Sequence, residues 1–280
     1  MNNTLTRQTT LSARYARFVI GAVIGVLSGA TANAQGHVGD IGLRVATDGK
    51  ITTHEITSAG IGSETRVFRA SFGDTGIAAF TSNPGFDALP GTFNTSYRIG
   101  FNIRTALAVW NGTAFEATDP GGPLAGERLK ISFITSNVTS NAGSVPGFSL
   151  AVQSDGGWHR HLSFNLLAAP GTPAPTPGIY LLELELWSTD PAVLQSKPLW
   201  MVMNHASTPD AHDAAAAWVI DNFLPNPCPA DVQTDGFVNG QDLAVLLSSW
   251  GGSGTADIDG SGMVDGSDLT TLLGAWGVCP

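Results

Sequence analysis

Six histidines are spread along the 280 residues, and three of them stand where an ion could be held. His159 and His161 flank Arg160, and on an extended strand a spacing of two puts both imidazoles on one face. Two neutral imidazoles side by side can reach a single metal ion, with His37 as a third ligand. The other reading is a strand edge whose histidines only hydrogen-bond, and spacing alone favours it. His54, His205 and His212 fall into no such pattern.

A second constellation is acidic and repeated. Residues 231–251 and 257–277 align at an offset of 26, with ten of the 21 positions identical, among them Asp231/Asp257, Gly236/Gly262, Asp242/Asp268 and Trp250/Trp276. Calcium takes roughly six to eight oxygen ligands, which a loop of about 12 residues supplies from alternate side chains and one backbone carbonyl. The first copy offers Asp231, Gln233, Asp235, the carbonyl of Phe237, Asn239 and Asp242. The second offers Asp257, Asp259, Ser261, the carbonyl of Met263, Asp265 and Asp268. Gly236 and Gly262 stand at the sixth place, where such a loop turns sharply. Gln233 is longer and uncharged where Asp is usual, so the second loop is expected to bind the tighter. Leucines three and four apart follow each loop, the apolar stripe of a short helix. An acidic, glycine-rich turn without metal is the alternative, but seven Asp and no Lys or Arg after Cys228 weigh against it.

Two calcium loops, each followed by one helix and lacking the entering helix of a full EF-hand, resemble a type I dockerin. The resemblance covers Cys228 to Pro280 and implies a small all-α module that docks onto a cohesin-like or other surface or scaffold protein. In cellulosomal dockerins the tenth and eleventh loop positions are often Ser-Thr, whereas here they are Gly240-Gln241 and Gly266-Ser267. The chain's two cysteines, Cys228 and Cys279, bracket this module, and export would favour a disulfide between them.

The histidines also sit in short motifs. His37-Val38-Gly39-Asp40-Ile41-Gly42, Trp158-His159-Arg160-His161-Leu162-Ser163-Phe164 and Pro177-Gly178-Ile179-Tyr180 are similar to elements of bacterial surface-anchored repeat proteins of the choice-of-anchor type. That resemblance implies a β-sandwich, an association with metal uptake and a zinc- or manganese-binding role for the histidines.

These side chains need elements to position them. Arg14 and Arg17, the apolar run Phe18 to Leu27 and Ala32-Asn33-Ala34 read as a signal peptide over residues 1–34, cleaved between Ala34 and Gln35. Its removal takes three Arg and leaves ten basic against 23 acidic side chains, a net charge of −13. The expected product is secreted or held at the cell surface, with no membrane insertion after signal removal. Residues 35–224 then read as strands and turns of a β-sandwich. Runs such as Arg66 to Phe72, Tyr97 to Ile103, Leu129 to Ile134, Phe148 to Val152 and Ile179 to Trp187 lie between Gly, Pro, Asn and Asp clusters. Leu182, Leu184 and Leu186 share one face of the last run, and Glu183 and Glu185 share the other, expected to be solvated. Asp210 to Phe223 reads as the one helix of this domain. A proline-rich linker spans 225–230, and the calcium module spans 231–280.

The strong negative charge excludes nucleic acid as the expected partner. No phosphate loop or His-Glu-x-x-His pattern is present, so a non-catalytic binding protein is favoured over an enzyme. A carbohydrate-binding or polysaccharide-degrading dockerin protein is the alternative, with Trp110, Trp158 or Trp187 stacking on sugars.

Overall fold

The structure is a computed structural model, which describes residues 37–118, 126–224, 228–233 and 235–279. The expected signal segment, its cleavage site at Ala34 and Gln35, and linker residues 225–227 lie outside the described residues. Over the described residues the fold is mainly β, with several sheets and three short helices.

One four-stranded sheet, with strands numbered in chain order, contains β1 (Ile41–Val45), β2 (Ile51–Thr57), β3 (Gly60–Glu64) and β6 (Phe86–Ala88), in the order β3-β2-β1-β6. A second has the order β11-β10-β13-β5, from β5 (Phe80–Thr81), β10 (Arg128–Phe133), β11 (Ser136–Thr139) and β13 (Ser163–Leu167). The largest has the order β12-β7-β14-β15-β4, from β4 (Val67–Ser71), β7 (Arg98–Ile103), β12 (Val145–Ala151), β14 (Gly178–Ser188) and β15 (Leu199–His205). Two short strands, β8 (Ala108–Trp110) and β9 (Phe115–Ala117), extend it from β14. Pairing is antiparallel except between β1 and β6 and between β15 and β4.

Alternation explains the main core. Leu182, Leu184 and Leu186 of β14 turn inward with Ile99, Phe101 and Ile103 of β7, and meet Ile41, Leu43, Phe86, Trp158 and Phe164 from the other sheets. The opposite face of β14 and β15 is also covered, because α1 (Pro209–Phe223) lays Ala215, Ala216 and Val219 against Ile179, Leu181, Trp200 and Val202. Burial on both faces accounts for the nearly unbroken apolar runs of these two strands. Helix α1 starts where Thr208 caps it, its side chain accepting from the Ala211 N–H, with Pro209 in the first turn.

Glu183 and Glu185 depart from the solvated expectation. Glu185 is largely covered and accepts from the Arg104 guanidinium at 3.3 Å, while burial pushes the Glu183 carboxyl up from its ordinary value. The strand's outer face is screened by its neighbours, which alternation within one strand cannot reveal.

The C-terminal region has its own small core of Ala230, Val238, Leu246, Ala256, Val264 and Leu272. Helices α2 (Gly240–Ser248) and α3 (Gly266–Gly274) pack on each other through Leu246 and Leu272, and the Cys228–Cys279 disulfide is formed. The region is not purely helical: β16 (Phe237–Val238) pairs antiparallel with β17 (Gly277–Val278). That ladder satisfies backbone groups on both sides of the disulfide, because the Cys279 N–H also donates to the Gly236 carbonyl.

Candidate metal centres

The histidine cluster is assembled by register. Gly85 leads into β6, and its neighbours across the sheet are Asp40 on the β1 side and His161 on the other. Phe86 exchanges both backbone hydrogen bonds with Arg160, at 2.8 and 2.9 Å, and Ala88 does the same with Trp158, at 3.2 Å each. Alternation then sends Phe86, Ala88, Trp158 and Leu162 into the core and leaves Asp87, His159 and His161 on the opposite face. The predicted same-face pair is therefore present, with ring centroids 5.1 Å apart.

A glycine at position 85 makes the meeting possible. A Cβ there would lie 2.7 Å from the His161 ring, which occupies the space a side chain would take. His161 thereby brings Nε2 to 3.4 Å from Asp40 Oδ2. Its Nδ1 lies 3.0 Å from the Ser82 carbonyl, so Nδ1 donates there and Nε2 is the nitrogen turned toward the cluster. His159 is held by its backbone N–H, which donates to Gln153 Oε1 at 2.6 Å, and its Nδ1 lies 3.4 Å from the buried Asp87 carboxylate. A carboxylate behind an imidazole orients the ring and raises its basicity as a ligand.

His37 comes from the turn before β1, where the Asp40 N–H donates to the His37 carbonyl. Its ring lies 5.0 Å from that of His159 and 5.5 Å from that of His161. Asp40 is the member that sequence reasoning missed, although it stands in the quoted His37-Val38-Gly39-Asp40 motif. One ligand atom from each of His37, Asp40, His159 and His161 falls within 4.8 Å of all the others. Asp40 is 4% exposed, and its Oδ1 accepts from the Gly85 N–H at 2.7 Å while its Oδ2 is buried with no hydrogen-bond partner. An unsatisfied carboxylate oxygen in a buried place is costly, and a cation among the three imidazoles would relieve that cost.

The remaining histidines serve the framework. His54 bonds Thr52 and the Gly62 carbonyl, His212 bonds the Val202 carbonyl at 2.8 Å, and His205 packs edge-on against Phe72.

The two acidic loops match each other closely. Asp231 accepts from the N–H groups of Asp235 and Gly236, as Asp257 does from those of Ser261 and Gly262. Gly236 and Gly262 have φ of 87° and 95°, a backbone region that favours glycine at the sixth place. Asn239 and Asp265 cap α2 and α3, and Asp242 and Asp268 complete a capping box at each helix start. The structure groups Asp231, Asp235 and Asp242 in one loop and Asp257, Asp259 and Asp268 in the other. The side-chain oxygens of Asn239 and Asp265 accept from the Gln241 and Ser267 N–H groups, and the Ser261 hydroxyl donates to the Met263 carbonyl. Met263 and Phe237 present carbonyls that accept from Ser261 and Asn239 respectively.

The sugar-stacking expectation fares less well. Trp158 is 1% exposed, and Trp110 packs against Phe115 and Trp218. Trp187 lies over the backbone at Gly100, where a Cβ would meet its ring at 2.5 Å. The exposed indoles are instead Trp250 and Trp276, each 50% exposed and related by the repeat. Among the described residues no helix is long and apolar enough to cross a membrane. No protein-family model matches this chain, and no curated protein does.

Proposed function

We propose that this protein is an exported, non-catalytic metal-binding protein whose large domain, read as a β-sandwich, holds one zinc or manganese ion. The ligands are His37, Asp40, His159 and His161. One observation carries the reading: the buried Asp40 Oδ2, without a hydrogen bond, lies 3.4 Å from His161 Nε2 and 3.6 Å from His37 Nδ1, and His161 turns Nε2 toward it because its Nδ1 donates to the Ser82 carbonyl. Imidazole nitrogens with one carboxylate oxygen are a familiar set for zinc, and manganese accepts them as well.

The C-terminal region is proposed as a dockerin-like module that binds calcium in both loops and docks onto a cohesin-like or other surface or scaffold partner. The repeated aspartates, the paired glycines at positive φ and the matched capping boxes support it. The disulfide suits an extracytoplasmic location. Polysaccharide binding has less support, because the large domain's indoles are packed.

Calorimetric titration with zinc, in calcium-containing buffer so that the acidic loops are already filled, tests the main reading. One ion per chain is expected, with binding lost when His159 and His161 are both replaced by Ala. Unchanged binding in that double variant would place the ion elsewhere and overturn the assignment.

A further inference from the structure

The four groups of the histidine cluster are not held alike. His161 is fixed by the Ser82 carbonyl and by its seat over Gly85, and His159 by Gln153 and the buried Asp87. Asp40 is tied to the Gly85 N–H. The His37 side chain, by comparison, is 68% exposed, and among the described residues its ring meets only the other members of the cluster. A ligand oriented from behind loses little freedom on binding, whereas one that is free in solvent must be ordered each time it coordinates.

Beside this ligand lies a way in. A cleft of about 400 Å³ is lined by His37, Asp40 and His161 together with Arg69, Ser71 and His212. Arg69 is ion-paired with Asp213 yet half exposed, so it favours an anionic visitor without being committed to one. The large domain's core is complete around residues that do not belong to the cluster, so the ion is not needed to hold the sheets together.

We infer that the site is built for exchange: His37 is a detachable ligand, and an anionic oxygen-donor chelator arriving through the cleft takes its place on the ion. The inference rests on the proposed four-ligand metal site. As the entering oxygen forms its bond to the ion, the bond to the His37 nitrogen breaks, and neither the oxidation state of the ion nor any covalent bond of the protein changes. Asp40, His159 and His161 hold the ion until the visitor has enough donors to remove it. Release by this route depends on the concentration of the acceptor, whereas release from a closed site depends only on spontaneous dissociation.

The test uses the whole chain loaded with zinc, in calcium-containing buffer. Zinc transfer to the chelating dye 4-(2-pyridylazo)resorcinol is followed by stopped flow over a range of dye concentrations. The rate is expected to rise in proportion to the dye, and His37→Ala is expected to bind zinc about tenfold more weakly, still one ion per chain, and to release it at least about tenfold faster. His161→Ala, which removes an oriented ligand, is expected to lose equilibrium binding. A rate independent of dye, or a His37→Ala protein that releases zinc no faster than the unaltered chain, would overturn exchange while leaving the metal site standing. Absence of stoichiometric zinc in the unaltered protein would overturn both.

Discussion

In the acidic loops both oxygens of the buried Asp242 and Asp268 accept backbone N–H groups, whereas in the histidine cluster the buried Asp40 keeps one oxygen without a hydrogen-bond partner. The loops carry more charge, yet their deepest carboxylates are already satisfied by the turn and helix start that they organise. The cluster carries less charge, yet it contains a buried oxygen that its imidazole neighbours, His161 at 3.4 Å and His37 at 3.6 Å, can satisfy only when protonated or through a shared cation. Richness in acids is therefore a poorer guide to a demand for metal than the satisfaction of each buried oxygen.

The comparison breaks most readily at the disulfide. Replacing Cys228 and Cys279 by Ser reopens a loop with a sequence separation of 51. In the chain-entropy estimate that costs about 4 kcal/mol, a large share for so small a core. Calorimetric melting should show the C-terminal transition displaced downward with zinc binding by the large domain intact. Loss of zinc binding in the same protein would mean that the two regions are not separable.

Asp40→Asn comes next, because it removes the charge of the unpartnered oxygen while keeping an acceptor for the Gly85 N–H. At a zinc concentration about 100 times the dissociation constant, roughly 2.7 kcal/mol of ligand-induced stabilisation should disappear. Metal-free stability should hold or rise, since an unsatisfied buried charge has gone. Thermal melting with and without zinc reads both, and a marked fall without zinc would show that Asp40 is instead a structural carboxylate.

Gly85→Ala sharpens the same side of the comparison. The added Cβ would displace the His161 ring, so zinc affinity should fall about tenfold, or about 1.4 kcal/mol. Titration calorimetry would detect it, and undiminished affinity would remove the ring's seat over Gly85 from the account.

On the acidic side, Asn239→Ala and Asp265→Ala each remove a helix cap and should cost about 1 kcal/mol without calcium. With calcium the Asp265 change should cost more, because it also takes a charged ligand from the loop expected to bind the tighter. Denaturant unfolding in chelator and in calcium would compare them, and equal losses in calcium would argue against unequal loops.

The smallest expected effect is on pH. Burial pushes the Asp242 carboxyl up, but hydrogen bonds from the backbone N–H groups of Asn239, Gln233 and Val232 outweigh it and hold it low. For Asp268 the Asp265 N–H is the leading influence, and with those of Asp259 and Ile258 it prevails over burial. Carboxyls held below their ordinary 3.8 stabilise the fold above that value, and the contribution is lost as pH falls through the lower, folded-state value. Helical circular dichroism of the metal-free protein should thus hold down to about that pH and fall below it; loss of helix well above 3.8 would point to another group.

Local pattern was enough for much of this. The inward leucines of β14, the strand around Arg66 to Phe72, helix α1, the repeat with its sixth-place glycines, and the same-face placement of His159 and His161 all depend on neighbours in sequence. Periodicity of two or of 3.6 and the sixth-place glycine act within a few residues, so they are written in the chain itself. Pairing of Cys228 with Cys279 was expected from composition and from the symmetry of the repeat.

What only the tertiary structure decided is how distant segments align. Asp40 meets His161 because the parallel pairing of β1 with β6 and the antiparallel bridge from Phe86 to Arg160 put residues 40, 85 and 161 side by side. Asp87 reaches His159 by the same register two residues along, and no spacing in the sequence announces it. The covering of Glu183 and Glu185, the packing of Trp110 and Trp158 and the short ladder between β16 and β17 likewise depend on neighbours far along the chain. Side-chain direction is a local property, but burial and partnership are set by whatever the rest of the fold lays against it.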